Sequence, residues 1–414
     1  MRSLKRLSVA LVALVVIGSS AAAATNYETP KNQSVKDVLP PAVIAGPSYT
    51  VLDPVVADGY MYTFKVKSPY ALFAVTGTGA LRKMEREIWA IGQLKEVTKS
   101  DAFLKSLKDQ AGKPITFAKD VITKPGETLS GIPKGVGRLF SNATTAITNT
   151  KDPSQESSTK ELLLVGSFKR DYATRFGVDP YSSNQVLQGE LDKIGKAAAF
   201  GSWTASAAMI PIGGVASSVI TGTSLAKSFN NILANEPPSR IRVINEGKLK
   251  EMGIGDDLAK RYLDHPVFTP RQDLLLVDSL SRLGAATGRD KYLQAAMAAA
   301  DEVEANFFVN TAQILAGYDE KQSPITGITM IGPLTVAQTK AGRAMIPFAL
   351  DHGVWTVNAD KLSQGLKTSY RAPGFNGNFE LWVTGTLSAR GKRELQARGF
   401  TTVEQVGSRI EIVD

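Results

Sequence analysis

An export signal followed by 390 residues without a single cysteine is the feature that most limits what this chain can become. Arg2, Lys5 and Arg6 form a positive n-region, residues 7–17 an apolar core, and Ala22, Ala23 and Ala24 a small-residue cleavage site before Thr25. The apolar core is shorter than the roughly 20 residues a spanning helix needs, which predicts a cleaved signal peptide and a mature chain in the periplasm or outside the cell. Without cysteine there is no disulfide, lipidated thiol, thiolate metal site or thiol nucleophile, so packing alone must hold the fold.

Residues 25–414 are long enough for two or three cores. Of the formal charge of +9, three charges belong to the signal, leaving +6 spread thinly over the mature chain. This mild excess points to a solvated surface, leaves room for contact with a membrane surface or an anionic polysaccharide, and with export disfavours a nucleic-acid partner.

The sequence divides into a signal peptide (1–24), a flexible leader (25–48), an N-terminal β/α region (49–141), a linker (142–160), a helical bundle (161–320) and a C-terminal α/β domain (321–414). The class is α+β, predominantly helical. Alternation over residues 60–66, and a second apolar run over 70–75 after the Ser68-Pro69 turn, predict a hairpin. Leu81, Met84, Ile88, Ile91 and Leu94 recur at helical spacing, and Ser100 is placed to cap another helix carrying Phe103. Around Lys119, Lys124, Lys134 and Arg138 the apolar spacing runs through several Pro and Gly, as in a basic segment bending over a surface.

In the bundle, Asn184 is placed to cap a helix bearing Leu187 and Leu191. Thr269-Pro270-Arg271-Gln272 has the form of a capping box with proline at the first helical position. The apolar stripe from Leu293 to Tyr318 predicts one helix of nearly thirty residues. Near the C-terminus, residues 325–331, 344–348, 379–383 and 409–413 read as four strands, with Ser388 opening a helix.

Residues 197–226 carry no charge, are rich in small residues and are interrupted by Pro211-Ile212-Gly213-Gly214. Two settings suit such a stretch: a hairpin buried in the bundle, which its Ser and Thr content favours, or a segment that enters a bilayer.

No catalytic residue, cofactor site or metal site can be singled out. The two histidines lie in similar pieces, Leu263-Asp264-His265-Pro266 and Leu350-Asp351-His352-Gly353, but adjacent side chains on an extended chain point apart, so neither Asp is placed to orient its His. Val75-Thr76-Gly77-Thr78-Gly79 and Val383-Thr384-Gly385-Thr386 each read as a strand-to-helix turn. Such a turn can present N–H groups to an anion, but without a full phosphate loop a plain turn is the simpler reading. Leu249, Met252-Gly253-Ile254 and Leu258 resemble the turn of helix-hairpin-helix modules, as do Leu395, Gly399-Phe400, Val403 and Val406, and both are read as structural turns.

The expectation is an exported envelope protein that binds or scaffolds, its partner another envelope protein or a polysaccharide. Two alternatives stand beside it: a membrane-inserting protein using residues 197–226, and a polysaccharide hydrolase working with carboxylates alone.

Overall fold

The computed structural model describes residues 27–100, 103, 136–140, 160–200 and 224–413. The expected signal peptide, most of the basic segment, the expected linker up to residue 159 and residues 201–223 of the uncharged stretch lie outside the described residues. The fold is mixed α+β and mostly helical, with thirteen α-helices among the described residues and sheets toward both ends.

Residues 27–48 are not a free leader. They carry two one-turn helices, α1 (Val35–Val38) and α2 (Pro41–Ile44), and the short strand β1 (Ala45–Gly46). Tyr27 donates its hydroxyl to Asp360 (2.8 Å), the Glu28 carboxylate accepts the N–H of Trp355 (2.7 Å), and Gln33 pairs with Val55. The polar composition suggested disorder, but the Tyr27 and Glu28 side chains bond to groups more than three hundred residues away, which composition does not record.

Strands β2 (Tyr49–Ala57), β3 (Tyr62–Lys67) and β4 (Leu72–Thr76) complete an antiparallel sheet in the order β1-β2-β3-β4. The predicted hairpin is β3–β4. Its partner β2 is missed because Pro54 and a register shift between Leu52 and Val56 break the alternation. Helix α3 (Thr78–Lys99) buries the predicted stripe of Leu81, Ile88, Ile91 and Leu94. It packs on α5 (Gln185–Phe200), which in turn packs on α4 (Lys160–Arg175). Asn184 caps α5 by accepting the N–H groups of Val186 and Leu187.

The bundle continues through α6 (Ser224–Asn235), α7 (Pro238–Glu251), α8 (Asp256–Leu263) and α9 (Pro270–Ser281). Both halves of the Thr269/Gln272 capping box are present. The long helix expected over residues 293–318 is two helices, α10 (Arg289–Ala296) and α11 (Glu302–Lys321). The apolar stripe runs through the break, but Asp301 accepts the N–H of Glu304 while Glu304 accepts the N–H of Ala300, a reciprocal cap that starts a new helix.

The last unit is a five-stranded sheet in the order β11-β9-β7-β6-β5, formed by β5 (Ile325–Ile331), β6 (Leu334–Thr339), β7 (Ala344–Phe348), β9 (Phe379–Val383) and β11 (Phe400–Val403). Strands β5, β6 and β7 pair antiparallel. From β7 the chain passes through the two-residue strand β8 (His352–Gly353) and α12 (Val357–Ser369) to β9. It then runs through β10 (Thr386–Leu387) and α13 (Ala389–Ala397) to β11, and both pairings are parallel.

Two corrections follow. Strand β6 escaped notice because five of its six residues are buried, which removes the alternation. Residues 409–413 form no strand. Gln313 on α11 takes their backbone instead, its Oε1 accepting the N–H of Val413 (2.7 Å) and its Nε2 donating to the Val413 carbonyl (3.2 Å). One apolar cluster links α6–α11 to this sheet, and Phe140 from the 3-10 turn Val136–Phe140 joins it, stacked on Phe348.

Candidate functional site

A cleft of about 550 Å³ opens where three parts of the molecule meet. The carboxyl ends of all three parallel strands form one wall: Leu350 and Asp351 follow β7, Thr384 follows β9, and Gln405 and Ser408 follow β11. Crevices outside the carboxyl ends of parallel strands are where open α/β sheets bind ligands, and the volume suits a small molecule. The start of α3 with Arg82 and Lys83 makes a second wall. The third combines the first turn of α9 with the first three turns of α11 and bears Arg271, Glu302, Asn306 and Asn310.

The two Thr-Gly-Thr turns converge here through Asp351. One of its carboxylate oxygens accepts the N–H and hydroxyl of Thr78 (2.9 and 2.7 Å) and the other the N–H of Tyr62 (2.9 Å). Helix α3, whose N-cap Gly77 has no side chain to offer, is therefore capped by a carboxylate 273 residues away. The Asp351 carbonyl accepts the N–H of Thr386 (3.0 Å), and Thr384 donates its hydroxyl to the Leu350 carbonyl while accepting the Leu350 N–H. Contrary to the sequence reading, the second turn enters β10 before reaching a helix. Burial, only partly offset by the bonds from Tyr62 and Thr78, raises the pKa of Asp351 above the ordinary Asp value.

Glu302 and Lys83 pair at 3.4 Å, Ser183 donates to the other Glu302 oxygen, and Glu87 approaches Lys83 to 4.0 Å. Burial alone would raise the Glu302 pKa, but Lys83 and Ser183 reverse this and hold it below its usual value. Burial pulls Lys83 down, and Glu302, Glu87 and Asp179 more than restore it, so the ammonium persists. Glu87, whose pKa burial raises, receives the hydroxyl of Ser182 (2.5 Å) and the amide of Asn184 (2.9 Å), tying α3 to the cap of α5. Asp179, which also lines the cleft, accepts the N–H of Tyr181 (2.9 Å).

The histidines stand apart from this chemistry. His352 bonds through Nδ1 to the Thr386 hydroxyl (2.8 Å) and lies parallel to the Tyr62 ring, and burial lowers its pKa. His265 is buried, edge-on to Phe268. No group of acids and histidines suited to a metal occurs among the described residues. The 252–254 turn joins α7 to α8 through Gly253 at φ 76°, whereas the turn at Gly399 leads into strand β11. Of the uncharged stretch only 197–200 and 224–226 are described, and no described helix is long and apolar enough to cross a membrane.

Sequence reasoning missed Arg271, Asn306 and Asn310. The signal for the two asparagines was their spacing of four on one helix, one turn that puts both on the same face. No family model, curated protein or solved structure matches this chain.

Proposed function

We propose that this chain is an exported envelope protein that binds a polar ligand, an envelope polysaccharide or a fragment of one, in the cleft at the strand ends without transforming it. The observation that carries this reading is the state of the acids. Among the described residues, Asp351, Glu302 and Asp179 are the carboxylates that line the cleft, and each already accepts hydrogen bonds from the protein itself. A general acid or base must reach a substrate proton, whereas Asp351 spends both its oxygens holding α3 and β3 in place.

A carboxylate hydrolase is the second reading, favoured by one observation: Asp351 and Glu302 share the cleft and their pKa values are displaced in opposite directions. Co-sedimentation of the purified mature chain with insoluble envelope polysaccharide, with parallel measurement of reducing ends, separates the two. Binding with no release of reducing ends is expected. Sustained release that Glu302→Gln abolishes would establish the hydrolase, and failure to sediment would remove polysaccharide as the partner.

A further inference from the structure

We infer that the cleft recognises an oxyanion, the carboxylate or phosphate group of a small ligand, through two asparagine NH₂ groups whose orientation the fold has locked. The inference rests on the binding reading above and specifies what is bound.

The lock can be followed bond by bond. Gln272 belongs to the capping box, where its Oε1 accepts the backbone N–H of Thr269 (2.9 Å), so its Nε2 is left to donate. It donates to Oδ1 of Asn306 (2.7 Å), and the amide nitrogen of Asn306 must then be the group available to the cleft. The same logic holds one turn along α11. Gln313 has its Oε1 fixed by the Val413 N–H, so its Nε2 donates, and it reaches Oδ1 of Asn310 (3.2 Å). Asn310, too, is left with its NH₂ for the cleft. Two independent backbone anchors, a helix cap and the C-terminal segment, thus turn neighbouring asparagines into a donor pair.

Three cations of the lining, Arg82, Lys83 and Arg271, stand beside three acids, Asp179, Glu302 and Asp351. Arg82 and Arg271 add guanidinium groups, which can only donate, and one Arg271 nitrogen donates to Asn230 (3.3 Å). The opposing charges of Asp179, Glu302 and Asp351 face donors supplied by Tyr181, by Lys83 and Ser183, and by Tyr62 and Thr78. A ligand meeting Asn306, Asn310 and Arg271 therefore needs acceptors, and a charged acceptor group gains most from such donors. A neutral sugar hydroxyl, donor and acceptor at once, gains less.

The test is a titration of the mature chain with galacturonic acid, inorganic phosphate and galactose, following the Asn306 and Asn310 side-chain NH₂ resonances. Galacturonate or phosphate is expected to shift both pairs, and galactose to bind roughly ten-fold more weakly or less. A preference for galacturonate identifies a carboxylate source and a preference for phosphate a phosphoryl one. Asn306→Asp keeps the oxygen that Gln272 needs and replaces the NH₂ by an acceptor, so it should weaken the anion at least about ten-fold with an unchanged melting temperature. If galactose shifts the resonances as strongly as galacturonate, or Asn306→Asp binds the anion as wild type does, the oxyanion assignment is overturned while the binding cleft stands. If none of the three, nor solubilised envelope polysaccharide, moves either resonance, both readings fall.

Discussion

The pieces Leu263-Asp264-His265 and Leu350-Asp351-His352 share their local sequence and do opposite things. Asp264 ends α8 at the surface, where its exposed carboxylate meets Lys260 and Arg242 at 2.9 and 2.8 Å. Asp351 is half-buried in the wall of the cleft and has no ion pair among the described residues. It accepts two backbone N–H groups and a hydroxyl from β3 and α3, and its backbone receives the second Thr-Gly-Thr turn. The same acid is thus an incidental ion pair where water competes and a joint of the fold where backbone donors converge on it.

Four measurements break or sharpen this contrast. The largest effect is expected at Gly385, where an added Cβ would fall on the carbonyl oxygens of Asp351 and Leu350, neither of which can move aside. Gly385→Ala should cost about 3 kcal/mol or more in a denaturant titration, and a variant as stable as wild type would mean that the two turns are not tightly joined. Asp351→Ala should cost roughly 2 to 3 kcal/mol, because it uncaps α3 and leaves the Tyr62 and Thr78 N–H groups without their acceptor.

The two acids should also give stability slopes of opposite sign with pH. The folded pKa of Asp351 is raised, so its contribution is complete below the unfolded value of about 3.9 and fades as the pH climbs through the raised one. That of Asp264 is lowered, first by the bond from Lys260, so its contribution is present above about 3.9 and fades as the pH falls through the lowered value. Melting temperatures of wild type, Asp351→Asn and Asp264→Asn between about pH 3 and 6 test this, and slopes of the same sign would refute it. The smallest effect belongs to Asp264→Ala, about 0.5 kcal/mol or less once screening by water is counted. A loss rivalling that of Asp351→Ala would erase the comparison.

Much of the local architecture was legible in the residues, and the tertiary joints were not. The Thr269 box, the Asn184 and Ser388 caps and the stripe of α3 declare themselves because the partners lie within a few positions. Strand β6 hid because burial on both faces leaves no period to read, and the break before α11 because apolar spacing continued across it. The candidate site was visible only as fragments. Both Thr-Gly-Thr turns were noticed, and a plain turn was the better reading at Thr78, where a carboxylate of the chain itself occupies the place an anion would take. What joins the fragments is Asp351, separated from Thr78 by 273 residues, a distance over which a single sequence carries no pattern.

The account stands on Asp351 being a structural cap rather than a proton donor, and amide hydrogen exchange at Thr78 and Tyr62 addresses that directly. In Asp351→Asn, which cannot accept from both amides at once, their protection should fall by roughly ten-fold or more relative to wild type, while amides in α8 keep theirs. Unchanged protection at both positions would show that α3 does not depend on this carboxylate, and would return Asp351 to the list of acids free to act on a substrate.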